Sequence, residues 1–537
     1  MRSPSTSSKR VPHLPAMKYT KYVPSFLEDS AEAYPEKPTL FANEKWYSFA
    51  ELETSANQLA NLLLRLGMRR GDRAGLYLEN SMEYVVTYYA ILKAGGITVA
   101  LNTENTDNDI AYIADDCGIR FIITSERTMR NRGSFGAGSD MGMSQNWSAS
   151  IQNVLVWSAQ PAHEPGAAEE IVFLPAALES ETPVNPRVRV IDVDVASIVY
   201  TSGSTGKPRG AVLTHLNIVS NTRSIVDYLN LTADDRVMAV LPFYYIYGKS
   251  LLNTHFGVGA SVVIDNRFLY PNVVLQTMEK QEVTGFAGVP STFTILLRRS
   301  SLKAHKFAKL RYVTQAGGAM APAIQKEVAE AFAPAKLYVM YGATEASARL
   351  SYLDPCDLPR KWGSIGKAIP NVDLFVADGS GQPVPAGQDG EIVARGSNIM
   401  SGYWNHPEET DRVLKNGLYY TGDLGRMDEE GFIFVVGRTK DMIKIGGNRV
   451  SAKEIEDAIY EHSAVIEAAV IGISDDVLGE APKAYLVVKK EHIQTIVEEL
   501  LVFLQQRLAI YKIPKVYEIR DALPKNESGK IQKLKLK

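Results

Sequence analysis

The most specific stretch of this chain is Tyr200-Thr-Ser-Gly-Ser-Thr-Gly-Lys-Pro-Arg-Gly210, which follows a predicted strand at 196–199. Glycines allow the backbone to turn its N–H groups inward around an anion, hydroxyl groups add donors, and Lys207 supplies a full positive charge. The pattern therefore predicts a phosphate-binding loop after a β-strand. It is not a Walker loop, because the glycine spacing is too short and Pro208 would break the helix that such a loop opens. A Ser/Gly-rich surface turn is the alternative interpretation.

The composition is that of a large globular protein. The chain has 537 residues, of which 45% are hydrophobic and 22% charged, and its net charge is −3. At roughly 100–200 residues per domain, this length predicts several subdomains with clefts between them. The near-zero charge excludes a protein whose main task is to coat nucleic acid, which needs a basic excess. Two cysteines, Cys117 and Cys356, fit a reducing compartment, and the apolar runs are too short to predict a transmembrane segment.

Helical and strand patterns alternate from Ser48 onward, as a mostly parallel α/β sheet requires. Ser48-Phe-Ala-Glu51 is a capping box, after which apolar residues recur at helical spacing up to Gly67. After about Pro355, short alternating strands predict a smaller β-rich unit. A compact α+β unit is predicted from Asp441, with its first helix opening at a second capping box, Ser451–Glu454.

Two segments lack this regular pattern. Between Arg127 and Pro161 the periodicity fails in a Gly/Ser/Met-rich stretch, which predicts a surface loop. The segment Met1–Phe26 is basic and rich in Ser and Pro, but it lacks the apolar centre of a secretory signal. It is expected to be a flexible tail, or translation is expected to begin at Met17. A targeting peptide is the alternative interpretation.

Four further motifs follow the loop in order: Tyr341-Gly-Ala-Thr-Glu345, Tyr419-Tyr-Thr-Gly-Asp423, Gly437-Arg-Thr-Lys-Asp441 and Leu523-Pro-Lys-Asn-Glu-Ser-Gly-Lys530. Together with the loop, in which Arg209 stands where lysine is usual, they resemble the acyl-adenylating superfamily of acyl-CoA synthetases, nonribosomal adenylation domains and luciferases. The resemblance extends from about Phe26 to Ile531.

The resemblance implies an α/β multidomain protein. Residues 1–25 would be a flexible tail, and residues 26–439 an N-terminal AMP-binding adenylation domain of α/β subdomains with a small β-rich subdomain. Residue 440 would be a hinge, and residues 441–537 a mobile C-terminal α+β domain.

The resemblance also implies a role for each motif in a reaction with ATP. Phosphates and a substrate carboxylate are all anions, so cations and aligned donors must bring them together. The implied catalytic residues are Lys530, Thr344 and Lys207, and Glu345 with Thr205 would hold Mg²⁺, which a single carboxylate beside phosphate oxygens can bind. Tyr341 would stack on adenine and Asp423 would accept the ribose hydroxyls. The implied ATP site comprises Thr201, Ser202, Gly203, Ser204, Thr205, Gly206, Lys207, Gly317, Gly318, Ala319, Tyr341, Gly342, Thr344, Asp423 and Arg438.

Each of these residues also has an ordinary structural explanation. Asp423 could be a turn residue, Glu345 an acid at a helix start, and Lys530 part of a solvated basic patch. The order of the motifs favours the catalytic interpretation.

The hinge motif implies a reaction in two steps. The C-terminal domain is expected to rotate about Lys440, so that Lys530 and a thiol-delivering surface alternate in the cleft. Gly446 and Gly447 would let the pantetheine arm of CoA pass close to the backbone, although a plain hairpin turn is the alternative.

The acyl pocket is predicted around the segment Leu241-Pro-Phe-Tyr-Tyr-Ile-Tyr-Gly-Lys249. It contains no acid to pair with an α-ammonium group, which disfavours an amino acid substrate, and Tyr245 replaces the histidine usual in related synthetases. Its aromatic residues suit an aryl or medium-length acyl group, with core aromatics as the alternative. Lys249 is expected to point outward; the alternative is an inward lysine that would pair with a second carboxylate of the substrate. The predicted pocket residues are Tyr245, Tyr247, Gly248, Gly317 and Gly342.

The predicted function is that of a cytoplasmic, AMP-forming acyl-CoA ligase. It would convert a fatty or aryl carboxylic acid with Mg-ATP into acyl-AMP and pyrophosphate, then transfer the acyl group to the thiol of CoA. The expected partners are the small-molecule carboxylate and CoA, with no nucleic acid; a homodimer is allowed. A stand-alone enzyme that loads the phosphopantetheine of an acyl or peptidyl carrier protein is the alternative. A non-catalytic relative is disfavoured because Lys530, Glu345 and Asp423 are all present.

Overall fold

A computed structural model of the chain describes residues 22–131, 147–158, 170–201, 207–438, 441–445, 448–475, 478–525 and 529–536. The fold is mixed α/β, with large sheets in the N-terminal part and a separate sheet in the C-terminal part, which confirms the predicted fold class. Up to residue 264 the helices are α1 (Ser25–Ala33), α2 (Phe49–Arg65), α3 (Met82–Lys93), α4 (Asp107–Cys117), α5 (Glu126–Asn131), α6 (Ala176–Glu179), α7 (His215–Leu229) and α8 (Ile246–Phe256). The strands of this part are β1 (Pro38–Ala42), β2 (Lys45–Ser48), β3 (Arg73–Tyr77), β4 (Ile97–Ala100), β5 (Ile119–Ser125), β6 (Asn153–Trp157), β7 (Glu170–Leu174), β8 (Val195–Thr201), β9 (Arg209–Thr214), β10 (Arg236–Ala239) and β11 (Ser261–Ile264).

The remaining elements divide at the predicted hinge. From residue 265 to 438 the helices are α9 (Pro271–Lys280), α10 (Pro290–Arg299), α11 (Pro322–Ala331) and α12 (Pro407–Val413). The strands there are β12 (Gly285–Gly288), β13 (Tyr312–Gln315), β14 (Lys336–Tyr341), β15 (Ser351–Leu353), β16 (Ser364–Ala368), β17 (Val372–Ala377), β18 (Asp389–Gly396), β19 (Gly402–Tyr403), β20 (Leu414–Lys415), β21 (Leu418–Met427) and β22 (Ile433–Arg438). The C-terminal part has β23 (Met442–Ile445), β24 (Asn448–Ser451), α13 (Ala452–Tyr460), β25 (Val465–Asp475), β26 (Gly479–Val488), α14 (Ile496–Gln505) and β27 (Val516–Ile519).

Two sheets carry the loops that the sequence singles out. The first has the order β19-β9-β8-β4-β3-β5-β6-β7 and is parallel except where β9 pairs with β8 and β19. The second runs β17-β18-β21-β22-β16-β15-β14-β13-β12-β10-β11-β1-β2. Its β10 to β14 are parallel, while the strands of the predicted β-rich unit are antiparallel and join it through β15 and β16. The β-rich unit is therefore hydrogen-bonded to the α/β part as one continuous sheet.

The first capping box forms as predicted. The Ser48 hydroxyl accepts from the amide of Glu51, whose carboxylate accepts from the amide of Ser48. The helix that follows, α2, buries Leu52, Leu59 and Leu63 against the core. Each buried leucine contributes roughly 1.5–3 kcal/mol relative to an exposed one. This burial, rather than the cap, fixes the helix on the sheet.

The second predicted capping box is wrong. Ser451 does precede α13, but its side chain caps nothing and instead donates to the carbonyl of Val436 at 2.5 Å. Val436 belongs to β22, so this hydrogen bond links the C-terminal sheet to the last strand of the N-terminal part. The Ser451 hydroxyl therefore donates to a tertiary carbonyl and does not accept from the local backbone amide of Glu454.

Two predicted irregular segments also contain ordered structure. The predicted loop between Arg127 and Pro161 includes β6, a parallel strand whose residues are all buried. Its apolar residues bury both faces, so they show no alternating pattern to mark it. At the N-terminus, Val23 is fully buried and donates its amide to Nδ1 of His215. The folded part therefore begins before the predicted boundary at residue 25. Of the predicted tail, residues 1–21 lie outside the described residues.

Candidate functional site

The predicted phosphate loop connects β8 to β9. Thr201 ends β8 and is the direct antiparallel partner of Arg209. Lys207 is exposed, with Nζ 5.7 Å from the centre of the Tyr112 ring. Ser202, Gly203, Ser204, Thr205 and Gly206 lie outside the described residues. The described ends of the loop thus lie at the carboxyl end of a sheet strand, where α/β proteins place their ligands.

Arg209, which stands where lysine is usual in the family motif, points into the protein. It is 8% exposed, and its Nη1 lies 2.5 Å from Oε2 of Glu409. Its guanidinium also lies over the Tyr403 ring, 5.6 Å from the centre. The positive charge that the motif retains at the start of β9 is therefore paired with a protein carboxylate.

Asp423 is held from two sides by side chains that the sequence predicted for the ATP site. Tyr341 donates its hydroxyl to Oδ2 at 2.6 Å, and Nε of Arg438 donates to Oδ1 at 2.8 Å. Asp423 and Arg438 are direct partners in adjacent strands, which fixes their approach. Burial and the neighbouring carboxylate hold the pKa of Tyr341 well above its usual range, so its hydroxyl stays a donor. The charge of Asp423 in turn raises the pKa of Arg438.

Glu345 and Thr344 lie in a short 3₁₀ helix, Thr344–Ala346, after the carboxyl end of β14. Oε1 of Glu345 accepts a 2.7 Å hydrogen bond from the Tyr403 hydroxyl, and its carbonyl accepts from the amide of Met400. Tyr403 thus orients the carboxylate proposed to hold Mg²⁺. Among the described residues, no group of three or more His, Cys, Asp or Glu converges on a metal site. A lone, oriented carboxylate fits Mg²⁺ that takes its other ligands from phosphate and water.

Gly317, Gly318 and Ala319 form an exposed loop at the carboxyl end of β13. Gly317 has φ +83°, a conformation that favours glycine. The side-chain amide of Gln315 donates to the Gly318 carbonyl at 2.8 Å and holds the loop in place. The small side chains predicted to make room for adenine are accordingly on the surface beside the other loops.

Two glycines of the predicted acyl pocket are required by backbone packing. A Cβ on Gly248 would lie 2.1 Å from the carbonyl oxygen of Pro242, and one on Gly342 would lie 1.9 Å from that of Ala348. Among the aromatics, Tyr245 is half-buried, and Tyr247 is buried with its hydroxyl 2.9 Å from Oγ1 of Thr314. Of the predicted pocket residues in α8, Tyr247 faces β13 and Gly248 faces the backbone of Pro242.

The expectation that Lys249 points outward is wrong. Lys249 is 1% exposed, and its Nζ lies 3.4 Å from Oγ of Ser197 and 5.4 Å from the centre of the Tyr88 ring. Burial lowers the pKa of Lys249 to about 7. Lys249 follows Gly248 in α8, and its side chain points toward α3 and β8. It is buried there because α8 is packed on both sides.

Lys530 lies where the C-terminal part meets the N-terminal part. Gly529 before it has φ +77°, and a Cβ there would come within 2.4 Å of Oγ of Ser291, which is in α10. Lys530 keeps an exposed surface, but surrounding atoms and the charge of Arg438 lower its pKa to about 8, while Asp423 opposes the shift. The fold thus brings this lysine to the Asp423 and Arg438 cluster from a motif near the C-terminus.

The lysines on either side of Lys530 are engaged by carboxylates of the C-terminal part. Lys525 Nζ lies 2.6 Å from Glu467, and Lys533 Nζ lies 2.7 Å from Glu456. Lys525 and Ile531 also form an isolated antiparallel β-bridge. These ion pairs separate Lys530 from the solvated basic patch that was its alternative interpretation.

Several site residues escaped sequence reasoning. Tyr403 and Glu409 come from the segment around α12, which carries no recognisable motif, and only folding brings them to Glu345 and Arg209. Conversely, Lys440, Gly446 and Gly447 lie outside the described residues, so their predicted roles stay predictions. None of the described helices combines the length and apolar character needed to cross a membrane.

Comparisons with known proteins show the family of the chain. The family model described as AMP-binding enzyme matches residues 27–404, and that of the AMP-binding enzyme C-terminal domain matches residues 454–530. A long-chain-fatty-acid–CoA ligase of Bacillus subtilis (strain 168) is 32% identical over 532 residues, covering 96% of this chain and 94% of that protein. A feruloyl-CoA synthase of Amycolatopsis sp is 32% identical over 489 residues, covering 90% and 92%.

Solved structures show the same similarity. The anthranilate CoA ligase AuaEII in complex with anthranoyl-AMP has a TM-score of 0.86 and 27% identity, covering 97% of both chains. An o-succinylbenzoate CoA synthetase from Bacillus subtilis, in complex with its acyl-adenylate intermediate, has a TM-score of 0.80 and 28% identity, covering 96% of this chain and 98% of that one.

Proposed function

This chain belongs to the AMP-binding enzyme family and is an ATP-dependent, AMP-forming ligase, and we propose that the residues described above activate a fatty or aryl carboxylic acid and pass it to CoA. The observation that supports this best is the position of Lys530 beside Asp423 and Arg438, since it brings a cation from the C-terminal part to the proposed nucleotide site.

In the first step, an oxygen of the substrate carboxylate attacks the α-phosphorus of ATP and pyrophosphate leaves. Lys530 would bridge the carboxylate and the α-phosphate, and Thr344 would donate to the same phosphate. Removing one such aligned donor typically costs about 10²–10³-fold in rate. Thr201 to Lys207 would bind the outer phosphates, and Asp423 with Arg438 would hold the ribose.

Glu345, oriented by Tyr403, would hold Mg²⁺. The bound ion would neutralise phosphate charge and so favour the approach of the anionic carboxylate. Thr205 is the second residue assigned to the metal.

In the second step, the thiol of CoA attacks the acyl carbonyl carbon and AMP leaves. We assign the rotation between the steps to Lys440 and the passage of the thiol to Gly446 and Gly447. The pantetheine arm of a carrier protein is the alternative acceptor. The proposal also places the enzyme in the cytoplasm, where ATP and CoA are available, and allows a homodimer.

The test is product analysis by mass spectrometry. Purified protein is incubated with Mg-ATP and a pool of carboxylic acids, with and without CoA. Acyl-CoA and AMP are expected, and their masses identify the acid. Acyl-AMP that accumulates whether or not CoA is present would indicate that the acceptor is a carrier protein and not CoA. Absence of acyl-AMP and acyl-CoA with every acid would overturn the proposal.

A further inference from the structure

The segment between α6 and β8, residues 181–194, crosses the surface of the protein, and we call it the strap. Its second half exposes two arginines, Arg187 and Arg189, followed by two branched apolar side chains, Ile191 and Val193. Ile191 is 44% and Val193 is 59% exposed, although such side chains are among those most often buried. The strap therefore presents apolar groups to solvent directly beside positive charges.

Backbone hydrogen bonds hold the apolar end of the strap in place. The amide of Asp194 donates to the carbonyl of Ile191 at 3.1 Å, which closes a turn. The amide of Leu216, in the first turn of α7, donates to the carbonyl of Asp192 at 2.7 Å, and Leu216 is itself 37% exposed. Ile191, Val193 and Leu216 thus lie on one stretch of surface whose position is fixed by the fold.

Two ion pairs attach the strap to α2 and to the turn that follows this helix. Glu181 pairs with Arg65 at 2.7 Å, and Asp194 pairs with Arg70 at 2.5 Å. The strap has one further acid, Asp192, which is half-buried. Most of the negative charge of the strap is therefore already neutralised by arginines.

Three more arginines lie beside the apolar groups. Arg187 and Arg189 belong to the strap, and Arg69 directly precedes the arginine that pairs with Asp194; all three are exposed. Within the part of the chain that the structure describes, none of the three forms an ion pair. Positive charge is therefore in excess here. We call Arg69, Arg187, Arg189, Ile191 and Val193 the basic face.

The N-terminal segment joins the folded chain at the strap. The side chains of Tyr22 and Asn185 both donate to the carboxylate of Glu28, at 3.0 and 2.8 Å, so the first described residue lies against the strap. Residues 1–21, which precede it, contain five Lys or Arg residues and no Asp or Glu. Their charge has the same sign as that of the basic face. This segment is therefore not the partner of the face, but adds to its attraction for an anionic partner.

A combination of cations and exposed aliphatic groups fits an anionic lipid surface. Phospholipid headgroups attract basic side chains, while aliphatic side chains enter the boundary between headgroups and acyl chains. A second copy of this chain would bring two positive faces together, which is unfavourable. Nucleic acid is bound mainly through its phosphates and would leave the aliphatic side chains exposed to water. The chemistry of the face thus favours lipid over both.

We propose that the basic face and the N-terminal segment bind the surface of a bilayer that contains anionic phospholipid, and that the protein lies on this surface without spanning the bilayer. This inference goes beyond the ligase function, and its test does not require that function.

The experiment is cosedimentation of the full chain with vesicles. One set contains phosphatidylcholine alone, and the other contains about one third phosphatidylglycerol, for which we expect binding tighter by about 10-fold or more. Raising the salt concentration should release the protein from the anionic vesicles, because it screens exposed charges. Equal binding to both sets, or binding to neither, would overturn the proposal, and this comparison needs no variant.

Variants then assign the binding to the strap. The double variant Arg187→Gln, Arg189→Gln should weaken binding to anionic vesicles by about 10-fold or more, because each basic side chain near such a surface contributes a factor of about five. The double variant Ile191→Ser, Val193→Ser should also weaken it, because it removes the aliphatic groups that enter the bilayer. Binding that neither double variant changes would overturn the role of the basic face.

Matched controls come from exposed residues of other elements. Arg299→Gln in α10 and Val502→Ser in α14, whose valine is 61% exposed, should leave vesicle binding unchanged. The strap variants should keep the melting temperature of the wild-type protein, since the replaced side chains are exposed. A loss of vesicle binding at an unchanged melting temperature supports the proposal.

The N-terminal segment is tested in the full chain. Replacing Lys9, Arg10, Lys18 and Lys21 by glutamine should weaken binding to anionic vesicles by a further factor of about 10 or more. If vesicle binding survived these replacements undiminished, the contribution of the segment would be refuted. If they removed all binding while the strap variants had no effect, the basic face would have no part in it.

Discussion

The hydroxyl group of Tyr341 donates a 2.6 Å hydrogen bond to Oδ2 of Asp423, although 82 residues separate them in the sequence. Arg438 binds the other carboxylate oxygen at 2.8 Å. A carboxylate has about four lone-pair sites, so it can accept both of these bonds and still receive hydroxyl groups from a ribose. The sequence predicted that Tyr341 stacks on adenine; its hydroxyl has the additional task of fixing Asp423.

Asp423→Asn is expected to raise KM for ATP by about 10-fold or more, because hydrogen bonds to charged groups contribute roughly 1.5–3 kcal/mol. Tyr341→Phe should have a smaller effect in the same direction, since it keeps the ring and removes only the bond to Asp423. Initial rates at varied ATP and fixed acid measure both. An increase in KM for the acid instead of ATP would contradict the assignment to the ribose.

Lys530→Ala should abolish acyl-AMP formation and spare thioester formation from supplied acyl-AMP, because the lysine acts in one step. Since the pKa of Lys530 is lowered to about 8, the lysine loses its proton above that pH, and kcat/KM for the first step should fall there. Lys535→Ala, at an exposed lysine of the same segment, is the matched control. Equal loss in both half-reactions would refute this role.

Lys249→Met should stabilise the protein at neutral pH. The pKa of Lys249 is lowered from 10.5 to about 7 in the folded state, so the unfolded chain binds the proton more readily between these values. Stability therefore rises as pH increases from 7 to 10.5, and the variant should gain a few kcal/mol at pH 7 and less at pH 10. Thermal unfolding at both pH values measures this, with exposed Lys303→Met as control. A variant that is less stable at pH 7 would contradict the expectation.

Glu409→Gln should destabilise the protein by about 2–4 kcal/mol, because it leaves the buried charge of Arg209 without its carboxylate. The double variant with Arg209→Met should recover part of this loss. Denaturant unfolding of the single and double variants gives the coupling energy. Additive effects would show that the ion pair contributes nothing of its own.

The sequence alone singled out the motif residues, because the chemistry proposed for them depends on local spacing. The loop at 200–210, the Tyr341 to Glu345 segment and the lysine motif each combine glycine turns with donors or charges in a short stretch. The capping box at Ser48 was predictable for the same reason, since its two hydrogen bonds join residues three apart. Alternating helix and strand patterns likewise predicted the α/β class.

Tertiary structure decided which partner each side chain has. Ser451 has a local capping pattern but binds the carbonyl of Val436, and Arg209 has a phosphate-loop position but pairs with Glu409. The direction of Lys249 could not be predicted either, because burial depends on how α8 packs against neighbours distant in sequence. Sequence spacing fixes local geometry and the types of chemical groups, whereas burial of a charge and ion pairs such as Arg209–Glu409 arise where folding brings distant segments together.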